Sequence, residues 1–151
     1  MKKILVLGGL MMCAPMLANA GTCAAPTQLA SNATVSDTTC GGEIGINMGG
    51  TIYGHPSNVY SVTINHAAGT LGHISVTGAN REMSLAPNCT TAPVAAGAPG
   101  LDIDAETVAD GNYVLVVSTD PSIPPTNPPT CGTFDLATGL LPVTLQNFTV
   151  E

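Results

Sequence analysis

The sequence predicts an all-β domain: a single β-sandwich of jelly-roll type, built from about eight short antiparallel strands and preceded by a signal peptide. Three observations lead there. No long segment carries apolar residues at i, i+3, i+4 and i+7, so helical periodicity is nearly absent. Short runs with a two-residue apolar period recur instead. Gly, Pro, Asn and Asp punctuate these runs at the spacing expected of a two-sheet fold.

The strands follow in order. "GEIGIN" (residues 42–47) is the first, then "NVYSVTIN" (58–65), "TLGHISVT" (70–77) and "REMSLAP" (81–87). "LDIDAET" (101–107), "NYVLVVST" (112–119), "GTFDLAT" (132–138) and "PVTLQNFTV" (142–150) complete the set. His66-Ala67-Ala68-Gly69 reads as a hairpin loop, and Gly78-Ala79-Asn80 joins the next pair. Asp110-Gly111 is the turn that feeds the strand from 112. That strand is apolar from Tyr113 to Val117 without alternation, so both of its faces are expected to be covered and the strand to be central. On this reading Tyr113 matters more to stability than Tyr53, which sits among Gly49, Gly50 and Gly54. Two loops stand out. "NCTTAPVAAGAPG" (88–100) is rich in small residues, and "DPSIPPTNPPT" (120–130) holds five of the twelve prolines and runs as a stiff brace.

The N-terminus has the three parts of a secretory signal peptide. Lys2 and Lys3 are basic, residues 4–13 are apolar, and Ala18-Asn19-Ala20 is an A-x-A cleavage site. Lipidation at Cys13 is disfavoured by Met12, because that position wants a small side chain. Cleavage after Ala20 gives a leader of residues 1–20 and one domain at 21–151, secreted to the periplasm or outside the cell and not inserted in a membrane. Arg81 is then the sole basic residue beside ten acidic ones. A nucleic-acid interface needs a basic patch, and none can be built.

Cys23, Cys40, Cys89 and Cys131 remain after cleavage, an even number in an exported domain. Two disulfides are expected, in any of three connectivities. Zinc sites favour closely spaced pairs, which these cysteines lack.

Candidate chemistry is sparse. There is no G-x-S-x-G elbow and no H-E-x-x-H helix. His55, His66 and His73 read as exposed polar residues, with His73 facing away from Ile74. Asp102, Asp104 and Glu106 alternate with Ile103 and Ala105, so on a strand the three carboxylates share a face, and Asp110 can join from the next turn. Such oxygen clusters are candidate calcium ligands, and calcium is the one cofactor the sequence raises. The plainer reading is the solvated side of an edge strand, where like charges also discourage edge pairing. The C-terminal run at 142–150 is either the last strand of the sandwich or a strand donated to a neighbouring copy.

Three stretches in order resemble one family. "SNVYSVTI" is similar to the first signature of the bacterial pre-peptidase C-terminal (PPC) domain, "MSLAPNC" resembles its middle strand, and "ADGNYVLVVS" followed by "CGTFDLAT" resembles its closing strands. The match spans about residues 40–138, with Asn58 and Val62 in place of the family's usual Asp and Phe. The resemblance implies a small jelly-roll-like sandwich that is not itself catalytic. It also implies that Cys89 and Cys131 lie near each other, which leaves Cys23 with Cys40. The functional expectation is a secreted binding or accessory module for an extracellular protein or polysaccharide. A subunit that self-associates by strand exchange is the alternative, and a small hydrolase a weaker one.

Overall fold

The computed structural model describes residues 21–68, 71–126 and 130–140. The predicted leader and the run at 142–150 lie outside the described residues. The elements are β1 (Thr27–Gln28), β2 (Thr34–Thr38), β3 (Ile46–Met48), β4 (Thr51–Tyr53), β5 (Asn58–Ile64) and β6 (Leu71–Thr77). They continue with β7 (Arg81–Ala86), β8 (Ala95–Gly97), β9 (Ile103–Asp104), a single 3-10 turn (Ala105–Thr107), β10 (Gly111–Thr119) and β11 (Thr133–Leu140). The all-β class is as the sequence predicts.

Two sheets form the sandwich. One has the order β1-β5-β10-β7-β8 and the other β2-β11-β6-β9. The pairings are antiparallel except for β1, which runs parallel to β5. From β5 to β7, and again from β8 to β11, each successive strand changes sheet. The His66 turn is therefore a corner between sheets and not the hairpin loop the sequence implied, since β5 and β6 do not pair. The same holds for Gly78-Ala79-Asn80 between β6 and β7.

The main core lies between the sheets. Tyr60, Val62, Ile64, Met83, Leu85, Leu115 and Val117 meet Ile74, Val76, Ile103, Phe134 and Leu136. Tyr60 and Phe134 cross edge to face, ring centres 6.5 Å apart at 83°. That geometry adds about 0.5–1.5 kcal/mol to the burial of both rings.

The strand from 112 is central, as its unbroken apolar run predicts: β10 lies between β5 and β7. What covers its second face is a third layer. β3 and β4 form a separate hairpin, and its Ile46, Met48 and Tyr53 bury Val59, Ala86 and Val116 on the outer side of the five-stranded sheet. The hairpin turns through Gly49 and Gly50, both at positive φ, which glycine adopts without strain. At Gly49 a Cβ would fall 2.4 Å from Ala92, so the turn docks on the loop after Cys89 only with glycine there.

The disulfides are Cys23–Cys89 and Cys40–Cys131, with Cα atoms 5.9 and 4.9 Å apart. This corrects the expected Cys23–Cys40 and Cys89–Cys131 pairing. Cys23 and Cys89 pack together against the outer cluster under the hairpin. Cys131 precedes β11, whose partner β2 leads into Cys40, so the sheet register brings these two together.

Candidate functional site

The acidic stretch alternates as predicted at first. Ile103 and Ala105 are buried while Asp102, Asp104 and Glu106 are exposed. The strand ends after Asp104, however, and the chain tightens into the 3-10 turn. Asp104 is the cap of that turn, its Oδ1 accepting the Glu106 N–H at 2.9 Å. Asp110 is engaged elsewhere. Its Oδ1 accepts the His66 backbone N–H at 3.0 Å and the His66 Nδ1–H. The hydrogen bond to Asp110 raises the His66 pKa above its ordinary value, and the backbone N–H of His66 is the largest cause that lowers the Asp110 pKa. The pair joins the β5–β6 corner to the start of β10. Among the described residues no group of three or more His, Cys, Asp or Glu side chains is placed to hold a metal ion.

The histidines divide. His73 is exposed on β6 opposite Ile74, and the His66 side chain is 37 % exposed. His55 is buried at 1 % exposure, against the expectation of an exposed residue. Its Nε2–H donates to Ile123 O at 3.0 Å, and its Nδ1 is buried without a partner among the described residues. The proline-rich loop covers it: a Cβ at Gly54 would fall 2.7 Å from Pro125.

Beside His55, beneath the outer hairpin, lies a group of buried hydroxyls. Ser57 Oγ is bonded to His55 O at 3.0 Å and to Ser118 Oγ at 2.9 Å. Tyr53 OH and Ser84 Oγ are 2.6 Å apart. Alternation along β7 and β10 places Ser84 and Ser118 on the outer face with Ala86 and Val116. These hydroxyls tie layers together. The imidazole of His55 bonds to the Ile123 backbone carbonyl, and Ser57 Oγ bonds to the backbone carbonyl of His55 and not to its ring.

A second polar tie spans the two sheets. Asp37 on β2 accepts the Tyr60 hydroxyl at 2.8 Å and the Asn58 Nδ2–H at 2.9 Å, both on Oδ2. Its Oδ1 takes the Thr38 N–H at 2.7 Å. Burial is the main reason that the Tyr60 pKa is raised, as it is for Tyr53. Asn58 and Tyr60 on β5 thus hold a carboxylate of the opposite sheet. Asp37 lies in "TVSDTT", which the sequence reading did not assign to a strand; the alternation of Val35 with exposed Thr34 and Ser36 is the weak signal that marks it.

Among the described residues no helix is long and apolar enough to cross a membrane. Comparison with family models, with curated proteins and with solved structures finds no match to this chain.

Proposed function

We propose that the chain is a secreted, non-catalytic binding or accessory module that works outside the cell on an extracellular protein or polysaccharide. The observation that carries this reading is the outer layer. The inward side of the β3–β4 hairpin is committed to the sheet, while Ile52 on β4 and Ile44 just before β3 face solvent at 62 % and 56 % exposure. Ile52 on the hairpin and Ile44 just before it are large apolar side chains that a partner would cover. Tyr53, Ser84, Ser57 and Ser118 bond to one another beneath the hairpin, and His55 bonds to the proline-rich loop, which suits a packing role for these groups. Two disulfides support an oxidising compartment. The PPC-like motifs are consistent with an accessory role and rest on the quoted residues alone.

The test replaces both isoleucines, Ile44→Ser with Ile52→Ser. The melting temperature is expected to hold, and retention of the protein on isolated cell-envelope material to fall. Unchanged retention would sink the reading.

A second reading, assembly by strand exchange, is favoured by β2. It lies at the edge of its sheet and, among the described strands, pairs with β11 alone. Light scattering after size exclusion separates the two: a monomer supports the module, and a polymer supports exchange.

A further inference from the structure

The edges of the two main sheets are unequal. β1 and β9 are two residues each and β8 is three, while β2 is five. β9 runs straight into the 3-10 turn, where the Thr107 hydroxyl donates to Asp104 O at 2.8 Å. β8 ends at a turn in which Ala98 and Leu101 exchange backbone hydrogen bonds. β2 is the longest edge strand, and it carries no proline, no lysine and no bulge, the devices that usually guard an edge. Its one charge, Asp37, is held by Tyr60 and Asn58.

The register decides which backbone groups of this edge are open. Ala33 O accepts the Thr138 N–H at 2.8 Å, and Gly132 O accepts the Thr39 N–H at 3.0 Å. Odd-numbered residues here therefore turn their backbone to β11, while Thr34, Ser36 and Thr38 turn theirs outward. Thr38 is already closed. Asp37 Oδ1 accepts its N–H at 2.7 Å, and the Asn58 amide donates to its carbonyl at 3.1 Å. The backbone N–H and C=O groups of Thr34 and Ser36 have no partner among the described residues. Between them Val35 packs on the core but is only half-buried. The open strip is thus Thr34-Val35-Ser36, uncharged, with one apolar side chain still to be covered.

We propose that the chain's own C-terminal run closes this strip as a parallel strand, with Phe148 beside Val35. Residues 141–151 follow β11, and their only charge is the last one, Glu151. Asn147-Phe148-Thr149-Val150 alternates polar and apolar, the pattern of a strand with one face on a core. Pro142 stands where the chain has to leave β11 and turn. A chain that turns there runs back against β11 and so parallel to β2. The place outside β2 is two strand spacings, about 10 Å, from β11. Leu136 is level with Val35, so the place beside Val35 is about 17 Å from Leu140, and the steps from Leu140 to Phe148 reach about 26 Å. Parallel pairing has the Phe148 N–H donate to Thr34 O and Phe148 O accept the Ser36 N–H. Phe148 then falls on the core side with Val35, and Asn147 and Thr149 on the solvent side with Thr34 and Ser36. The tether holds this run near the edge at an effective concentration in the millimolar range, an advantage that the tail of another copy lacks. Ile44 and Ile52 take no part, so the closure is independent of the binding surface on the hairpin.

Hydrogen exchange followed by NMR on the chain from residue 21 reads the edge directly. The Thr34 and Ser36 amides are expected to be protected in a monomeric protein and to lose that protection when residues 142–151 are deleted. Phe148→Glu keeps the length of the tail and is expected to release the same two amides. Fast exchange at both amides in the full chain overturns the proposal. So does protection that survives the deletion or, where the truncated chain does not fold, survives Phe148→Glu. Protection that appears only in a larger species by light scattering also overturns it, and gives the edge to a second copy.

Discussion

Tyr53→Ala should be the most damaging single truncation in the outer layer. Tyr53 is 2 % exposed and packs with Ile46, Met48, Val59, Ala86 and Val116, so its loss opens a cavity that the short hairpin cannot close. Truncating a buried aromatic costs about 3–5 kcal/mol. The hydroxyl adds its own part: Tyr53→Phe leaves Ser84 Oγ buried without its 2.6 Å partner, a loss of about 1–3 kcal/mol. Tyr113 is half-buried, and its hydroxyl donates to Ala109 O at 2.8 Å. Tyr113→Ala should therefore cost only about 1–2 kcal/mol. For a domain of this size about 1 kcal/mol moves the melting temperature by roughly 4 °C, so calorimetry separates the two alanine variants clearly. A double-mutant cycle of Tyr53→Phe with Ser84→Ala isolates the hydroxyl pair. Equal melting temperatures for Tyr53→Ala and Tyr113→Ala would refute the reasoning, because they would mean the hairpin does not seal the sheet.

Digestion without reduction should yield peptides joined as Cys23–Cys89 and Cys40–Cys131, and any Cys23–Cys40 peptide from the native protein would contradict the register of β2 with β11. With separations of 66 and 91 residues, each bond contributes about 4–5 kcal/mol in the chain-entropy model. The His66–Asp110 pair sets a pH window. The raised His66 pKa gives stability that is present below about 6.5 and lost as pH rises through the folded value. The lowered Asp110 pKa gives stability that is present above about 3.8 and lost as pH falls through its folded value. The contribution is thus largest in mildly acidic solution, and Asp110→Asn should return the His66 titration, followed by NMR, toward its ordinary position. Calcium at the acidic stretch has to draw Asp104 from the Glu106 N–H and Asp110 from His66, so melting curves in calcium and in chelator should coincide. A rise specific to calcium would restore that site.

The fold class was legible because β5, β6, β7, β10 and β11 carry their alternation or their unbroken apolar run openly. The cover on β10 was not. The hairpin strands are three residues each, too short to establish a period, and the glycines around Tyr53 read as exposed loop when they in fact let the turn dock on Ala92. Thr34–Thr38 is polar because it is a half-exposed edge, so neither it nor Asp37 announced itself. Alternation gave the exposure of Asp102, Asp104 and Glu106 correctly. It could not give the cap at Asp104, and the 44-residue separation of His66 from Asp110 has no local signature. The isolation of Arg81 as a cation is visible in the chain, but its burial follows from the sheet and is not.

The interlaced disulfides have a consequence in time. A chain is made from its N-terminus, so Cys23 and Cys40 appear first, while their native partners arrive 66 and 91 residues after them. Until Cys89 emerges, Cys23 and Cys40 have only each other. The 17-residue loop between them is cheaper to close than the 66-residue native one by about 1 kcal/mol. The earliest bond an oxidant can form is therefore the wrong one. Reaching the native state then depends on a thiol that attacks that bond and frees both sulfurs by exchange. In an oxidising compartment that lacks such an exchange catalyst, yield should fall even though the finished protein is stable. The topology that locks the two sheets together makes the chain a client of disulfide isomerisation.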